Sequence, residues 1–238
     1  MGLSFASILL LMSAWQSFAE VREIKSMHEI IQEIDADTLV IFDIDNTVIE
    51  PTGQFGSDQW YYFLVQNFKI DVKLSEHAAH AKAEPIWNLA QRFIKTQAVE
   101  RQTPHIIKSL QGDKIQVMAL TARSSQITQI TQGQLFENGV DFQISAPRNS
   151  RLLEMGENIS YDGGILFQGE GNDKGKTLVK FLKHMNLAPK KIVFIDDKEK
   201  NTSNINRALE EFGGVRHIEF RYAKTDEKVS QFNADFLN

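Results

Sequence analysis

Two pairs of carboxylates stand at the ends of apolar runs: Asp43 and Asp45 after Leu39-Val40-Ile41-Phe42, and Asp196 and Asp197 after Ile192-Val193-Phe194-Ile195. Acids this close raise one another's pKa, so a site that keeps both must hold a cation or leave one protonated. A single Asp-rich strand end can be a plain turn. The same arrangement at two distant places in one chain argues for a site. Between the pairs, Thr121-Ala122-Arg123 closes another apolar run. It sets a hydroxyl and a guanidinium beside a helix start expected near Ser124 or Ser125, where free backbone amides favour an anion. Further on, Lys174 or Lys176 opens a helix with the apolar face Leu178, Leu182 and Met185. A lysine there can neutralise a phosphoryl group and nearby carboxylates. The surrounding glycines do not form a nucleotide-binding loop: Glu170 stands five positions before Gly175, where that loop needs glycine and a carboxylate would oppose phosphate.

The elements that must carry these residues follow from the patterning. Apolar runs without polar alternation read as strands covered on both faces, as in parallel α/β sheets, and the carboxyl edge of such a sheet is where ligands bind. Ser26 and Glu29 form a capping-box pattern ahead of a helix with Met27, Ile30, Ile31 and Ile34 on one face. Residues 50–113 show helix signals and no convincing strand. Ser57 precedes a helix bearing Trp60, Phe63 and Leu64, and Pro85 opens one bearing Ile86, Leu89 and Phe93. Thr103-Pro104 begins another that Gly112 stops. This stretch reads as a helical insertion able to roof a site. Trp60, Tyr61 and Tyr62 read first as core and second as a stacking surface. His77, His80 and Glu84 have ligand spacing without a full ligand set and read as a polar face. Residues 140–144 suggest a strand, and residues 161–167 suggest a hairpin turn and strand. After Asp197 a helix with Ile205, Leu209 and Phe212 inward is closed by Gly213-Gly214, and residues 216–220 give a final strand.

Composition bounds the function. With 238 residues, 42% hydrophobic and 24% charged, the chain can bury a sizeable core. A net charge of -5 offers no basic field, so nucleic-acid binding is not expected. Cysteine is absent, which removes disulfides, thiol nucleophiles and thiolate metal sites. Residues 1–19 carry no charge, include Ile8-Leu9-Leu10-Leu11-Met12 and end in Ser17-Phe18-Ala19. They resemble a secretory signal peptide lacking the usual basic start, and are marginally short for an uncleaved anchor. Export to a periplasmic or secreted location is therefore expected, with residues 20–238 as one domain, residues 50–113 inserted within it, and no stable membrane span after cleavage.

Taken in order, the four elements resemble those of the haloacid dehalogenase superfamily. Asp43-Ile44-Asp45-Asn46-Thr47 matches its first motif, Thr121 the second, Lys174 the third and Asp196-Asp197 the fourth. Lys174 is preferred to Lys176 because Lys174-Gly175 followed by Leu178 fits the family pattern better. With the export-like start, Phe42 to Val48 looks most similar to the secreted acid phosphatase branch, or to a secreted relative of it. The resemblance implies a Rossmann-like three-layer α/β/α core with a mostly parallel sheet and a helical cap between the first two motifs. It also implies Mg2+-dependent hydrolysis of a phosphorylated small molecule. Asp43 would be the nucleophile that forms an aspartyl-phosphate and Asp45 the general acid and base. Asp43, the backbone carbonyl of Asp45, and Asp196, with Asp197 close by, would hold the metal. Thr121 and Lys174 would bind the phosphoryl oxygens, with Arg123 a further candidate for substrate contact and Asn201 for orienting the fourth motif. Two alternatives remain at this level. A receiver domain also gathers acids, a Thr and a Lys on a doubly wound sheet, but its acidic pair lies on a different strand from the phosphorylated Asp. A secreted non-catalytic relative binding a partner through the insertion would keep the same residues.

Overall fold

The computed structural model describes residues 20–147, 152–156, 158–169 and 171–234. The expected signal segment, residues 1–19, lies outside the described residues. The chain folds around one sheet built from β1 (Glu20–Ile24), β2 (Thr38–Phe42), β5 (Gln116–Thr121), β6 (Leu153–Glu154), β7 (Ser160–Asp162), β8 (Ile165–Phe167), β9 (Lys191–Asp196) and β10 (Arg216–Tyr222). Their spatial order is β1-β10-β9-β2-β5-β8-β7-β6. Pairing is parallel from β1 through β8, and β7 and β6 add antiparallel at one edge.

The period-2 alternation of strand side chains divides the sheet into two apolar faces. Val40, Phe42, Val117, Ala119, Val193 and Ile195 enter one cluster, with Ile106, Ile107 and Leu110 of α3 (Thr103–Gly112) and Leu135 of α4 (Thr128–Glu137). Leu39, Ile41, Met118, Leu120, Ile192 and Phe194 enter the other, with Leu178, Phe181 and Leu182 of α5 (Lys174–His184) and Ile205 and Leu209 of α6 (Glu199–Phe212). This is the Rossmann-like, three-layer α/β/α core that the sequence implies.

The helical cap lies between β2 and β5. It comprises α1 (Asp58–Ile70) and α2 (Glu76–Ala90), which pack on each other around a third cluster containing Trp60, Tyr61, Val65, Ala79, Ala83 and Trp87. Ser57 and Ser75 cap the two helices, each accepting a hydrogen bond from an amide of the first turn. A short antiparallel pair, β3 (Ile49–Pro51) and β4 (Thr96–Ala98), forms the stalk. Its far end is fixed to the core by Glu100, which accepts from the Met27 amide at 2.7 Å and from the Tyr222 hydroxyl.

Several local expectations are revised. The helix assigned to Pro85 begins nine residues earlier, at Glu76 after the Ser75 cap, and carries Pro85 inside it. Its buried stripe is Ala79, Ala83, Trp87 and Ala90, whereas Ile86, Leu89 and Phe93 are exposed. Small alanines face the neighbouring helix, so apolar bulk pointed to the wrong side. Residues 140–144 do not form a strand. Asp141 accepts from the Gln143 amide at 2.9 Å, a local turn that competes with strand pairing, and β8 takes the place beside β5. The Ser26 capping box opens a 3-10 helix, Met27–Glu33, that buries Met27 and Ile30 and leaves Ile31 exposed. The β3–β4 pair and β1 have no counterpart in the sequence reading, being too short or too mixed to show a period.

Candidate active site

The carboxyl edge of the sheet gathers the chemistry-bearing residues through register. Phe42 lies beside Ile195 of β9 and Ala119 of β5, so the next residues along, Asp43 and Asp196, stand side by side. Asp43 follows Ile41 by two positions and Asp196 follows Phe194 by two. Alternation therefore turns both toward the layer of α5 and α6. Lys174, the first residue of α5, meets them there: its ammonium donates to Asp43 Oδ1 and to Asp196 Oδ2, each at 2.6 Å. The lysine is 1% exposed, and the Phe194 ring lies 5.8 Å from its Nζ.

The start of α5 is held close to its neighbour by Gly175. Any Cβ there would collide with the Asn204 carbonyl and the Ala208 side chain of α6. Asp173 caps the helix, accepting from the Lys176 amide at 2.9 Å. Lys176 itself is not buried with the cluster, so of the two candidate lysines the fold brings only Lys174 to the carboxylates.

Asp43, Asp196 and Asp197 are all buried and each offers an oxygen within 4.8 Å of the others. Asn201, one turn into α6, donates its side-chain amide to both Asp196 oxygens at 3.0 Å. The Lys198 amide donates to Asp196 Oδ1 at 2.8 Å. Asp197 is held by its own amide, which donates to the Thr47 hydroxyl at 3.1 Å, and by Asn46, which donates to Oδ2 at 3.3 Å. Asn46 sits at φ +59°, in the left-handed region that asparagine tolerates, and turns the chain back after Asp45.

Asp43 and Asp196 share the Lys174 ammonium, and Asp197 feels Lys198, itself paired with Asp58, so the buried acids still outnumber the cations. Burial pushes the Asp43 carboxyl up to about 7, with Lys174 opposing and Asp196 adding to the rise. Burial and the Asp196 charge likewise push Asp197 well up. Burial works against the charge of Lys174, and Asp196 and Asp43 overcome it and hold the ammonium protonated. Asp197 Oδ1 is buried with no hydrogen-bond partner. An orphaned carboxylate oxygen among closely set, all-oxygen donors is the chemistry of a hard divalent cation, and these residues fit magnesium.

Asp45 takes a different direction. It forms a two-point ion pair with Arg123, whose Nε and Nη2 donate to its two carboxylate oxygens at 2.8 Å. Arg123 Nη1 donates to Thr131 at 3.1 Å and Gln134 at 2.7 Å, and its guanidinium lies 5.3 Å from the Trp87 ring of the cap. Four of its five N–H donors are thus engaged. The structure brings Arg123 to Asp45 and not to the Asp43 cluster. Thr121 is fully buried, and its hydroxyl accepts from the Arg123 amide at 3.1 Å.

The cap touches this edge at a second point. Lys198, adjacent to Asp197, donates to Asp58 of α1 at 3.0 Å and to the Tyr62 hydroxyl at 3.3 Å. Thr47 and Asn46 were missed as contributors to the site. Their place directly after Asp45 was the available signal, since a strand-end loop carrying two acids needs donors to hold its partners.

A family model described as "Protein of unknown function (DUF2608)" matches residues 20–238. The chain is 27% identical over 191 residues to "Putative outer membrane protein" of Chlamydia trachomatis, covering 79% of this chain and 71% of that one. Among solved structures it is similar to a haloacid dehalogenase-like hydrolase of Streptococcus pneumoniae, with 14% identity, a TM-score of 0.42, and coverage of 82% of this chain and 98% of the other. It is also similar to the class C acid phosphatase of Bacillus anthracis, with 12% identity, a TM-score of 0.41, and coverage of 87% and 78%.

Proposed function

The chain belongs to the DUF2608 family, and from that premise we propose that it is a magnesium-dependent phosphohydrolase acting on a phosphate monoester through an aspartyl-phosphate. The observation that carries this reading is the meeting of Asp43, Asp196, Asp197 and Lys174 at one strand edge, with an orphaned Asp197 oxygen and a separately oriented acid at Asp45. Asp43, Asp196 and Asp197, with the Asp45 carbonyl, would hold the metal, which when bound offsets the negative charge of the acids and of the phosphate.

In this reading Lys174 donates to Asp43 through Oδ1, which fixes the carboxylate and leaves Oδ2 to attack phosphorus. A bond forms between Oδ2 and phosphorus as the bond to the leaving oxygen breaks. Asp45 delivers a proton to that oxygen, then takes one from the water that opens the acyl phosphate, releasing phosphate and restoring Asp43. Thr121 and Lys174 stabilise the equatorial oxygens. Arg123, already paired with Asp45, acts as its positioning residue.

The acidic edge suits a small phosphorylated molecule and not a polyanion. An exported location rests on the apolar start of the sequence and on the printed name of the chlamydial relative. Among the described residues no helix is long and apolar enough to cross a membrane.

The test is hydrolysis of p-nitrophenyl phosphate by the purified protein, with magnesium and then with excess chelator. Phosphate release is expected with the metal and its loss on chelation. Magnesium at about 100 times its Kd should also stabilise the fold by about 2.7 kcal/mol, read as a rise in Tm. A folded protein whose Tm ignores magnesium and which hydrolyses no phosphomonoester would instead be a non-catalytic binder.

A further inference from the structure

A small cavity of about 40 Å³ lies on the cap side of Asp45, bordered by Asp58, Glu84, Asn88 and Arg123. Its position matters because Asp45 is the acid that would face the leaving oxygen. Whatever is attached to that oxygen must extend toward the cavity.

Asn88 carries the inference. It sits on α2 and is 7% exposed, yet neither Nδ2 nor Oδ1 of its amide has a hydrogen-bond partner. Leaving a buried polar group unpaired costs about 1–3 kcal/mol, and an amide leaves both a donor and an acceptor unpaired. An apolar residue would suit a merely structural position in the Trp60–Trp87 cluster better. A group that both donates and accepts, such as an alcohol hydroxyl, satisfies the amide from the cavity side.

The charges around the cavity narrow the choice. Arg123 is committed to Asp45, and Asp58 is paired with Lys198. Glu84 is left with no further cation in the lining. A second phosphate or a carboxylate on the leaving group would therefore meet net negative charge, whereas an uncharged hydroxyl would not. Size narrows it again: one water-sized group needs roughly 10–15 Å³, so the cavity accepts about three such groups.

We propose that Asn88 and the acidic lining around it form a leaving-group subsite that selects esters of small uncharged polyols over esters of hydroxy acids. This rests on the phosphohydrolase reading and extends it to the alcohol half of the substrate. Asn88 is a specificity residue here, since it would touch the substrate away from the reacting atoms.

The experiment compares kcat/KM for glycerol 3-phosphate, 3-phosphoglycerate and p-nitrophenyl phosphate in the wild type, Asn88→Leu and the isosteric Asn88→Asp, alongside Tm. The first two esters differ at the far end, hydroxymethyl against carboxylate. Wild type is expected to favour glycerol 3-phosphate over 3-phosphoglycerate by at least ~10-fold, a modest share of what buried hydrogen-bonding sites reach. Asn88→Leu should lower the glycerol 3-phosphate to p-nitrophenyl phosphate ratio by at least ~10-fold while Tm holds or rises. Asn88→Asp should lower the same ratio, and keeps the test readable if Leu disturbs the helix. An unchanged ratio in both variants, a preference for 3-phosphoglycerate, or a lower Tm with equal losses on every ester would overturn the subsite and leave the hydrolase standing. A wild type inert toward all three esters would take down the hydrolase reading as well.

Discussion

The two aspartates of the first motif, two residues apart, face opposite regimes. Asp43 points into the core layer, buried beside Asp196, Asp197 and Lys174, and its surroundings are in place before any substrate arrives. Asp45 points to the seam between core and cap, where its side chain is 16% exposed and its partner Arg123 leans on a cap tryptophan. Strand alternation alone cannot produce this split. β2 ends at Phe42, before either acid, and the Ile44 carbonyl between them accepts from the Val48 and Ile49 amides in the turn that follows, so Asp43 and Asp45 do not continue one strand's alternation. The chemistry proposed for each follows from the difference: a fixed, charge-crowded carboxylate suits a nucleophile, and one at a boundary that substrate must cross suits a proton carrier.

The comparison breaks most sharply at Asp43. Asp43→Asn should keep the fold and lower kcat by at least ~10⁴-fold, since the reacting oxygen is gone and its neighbours act as a unit with it. Single-turnover phosphate release with the folded variant checks this. Activity within ten-fold of wild type would place the nucleophile elsewhere.

Lys174→Met comes next. Removing this ammonium leaves Asp43 and Asp196 buried without the counter-charge they share, and breaking such a pair costs about 3–5 kcal/mol. Denaturant unfolding without metal should show that loss, and added magnesium should recover part of it. An unfolding midpoint unmoved by the change would contradict the buried pairing.

Arg123→Met should cost less, about 1–3 kcal/mol, because water can reach Asp45 and only Gln134 and Thr131 lose a buried donor. Its effect on activity should fall on kcat more than on KM if the arginine orients Asp45, and on KM if it grips phosphate directly. Steady-state kinetics on p-nitrophenyl phosphate separates the two.

The Asp43 side was largely legible in the sequence. Apolar runs marked β2 and β9, their terminal acids marked the edge, and a lysine opening an amphipathic helix marked the counter-charge. The cap side was not. The Trp87 stripe of α2 was hidden behind alanines, Pro85 pointed to a boundary that does not exist, and nothing near residue 88 signalled a partnerless amide. Arg123 was recognised as a strand-end cation, but its partner was not.

The sequence by itself determined which strands are buried, that acids crowd their ends, and that a lysine and a threonine wait nearby, because strand period and helix-start chemistry are local properties. Only the tertiary structure decided which acid faces which cation. Asp43 and Lys174 are 131 residues apart and Asp45 and Arg123 are 78 apart. Those pairings depend on parallel register and on where the cap settles, which no short stretch of chain encodes.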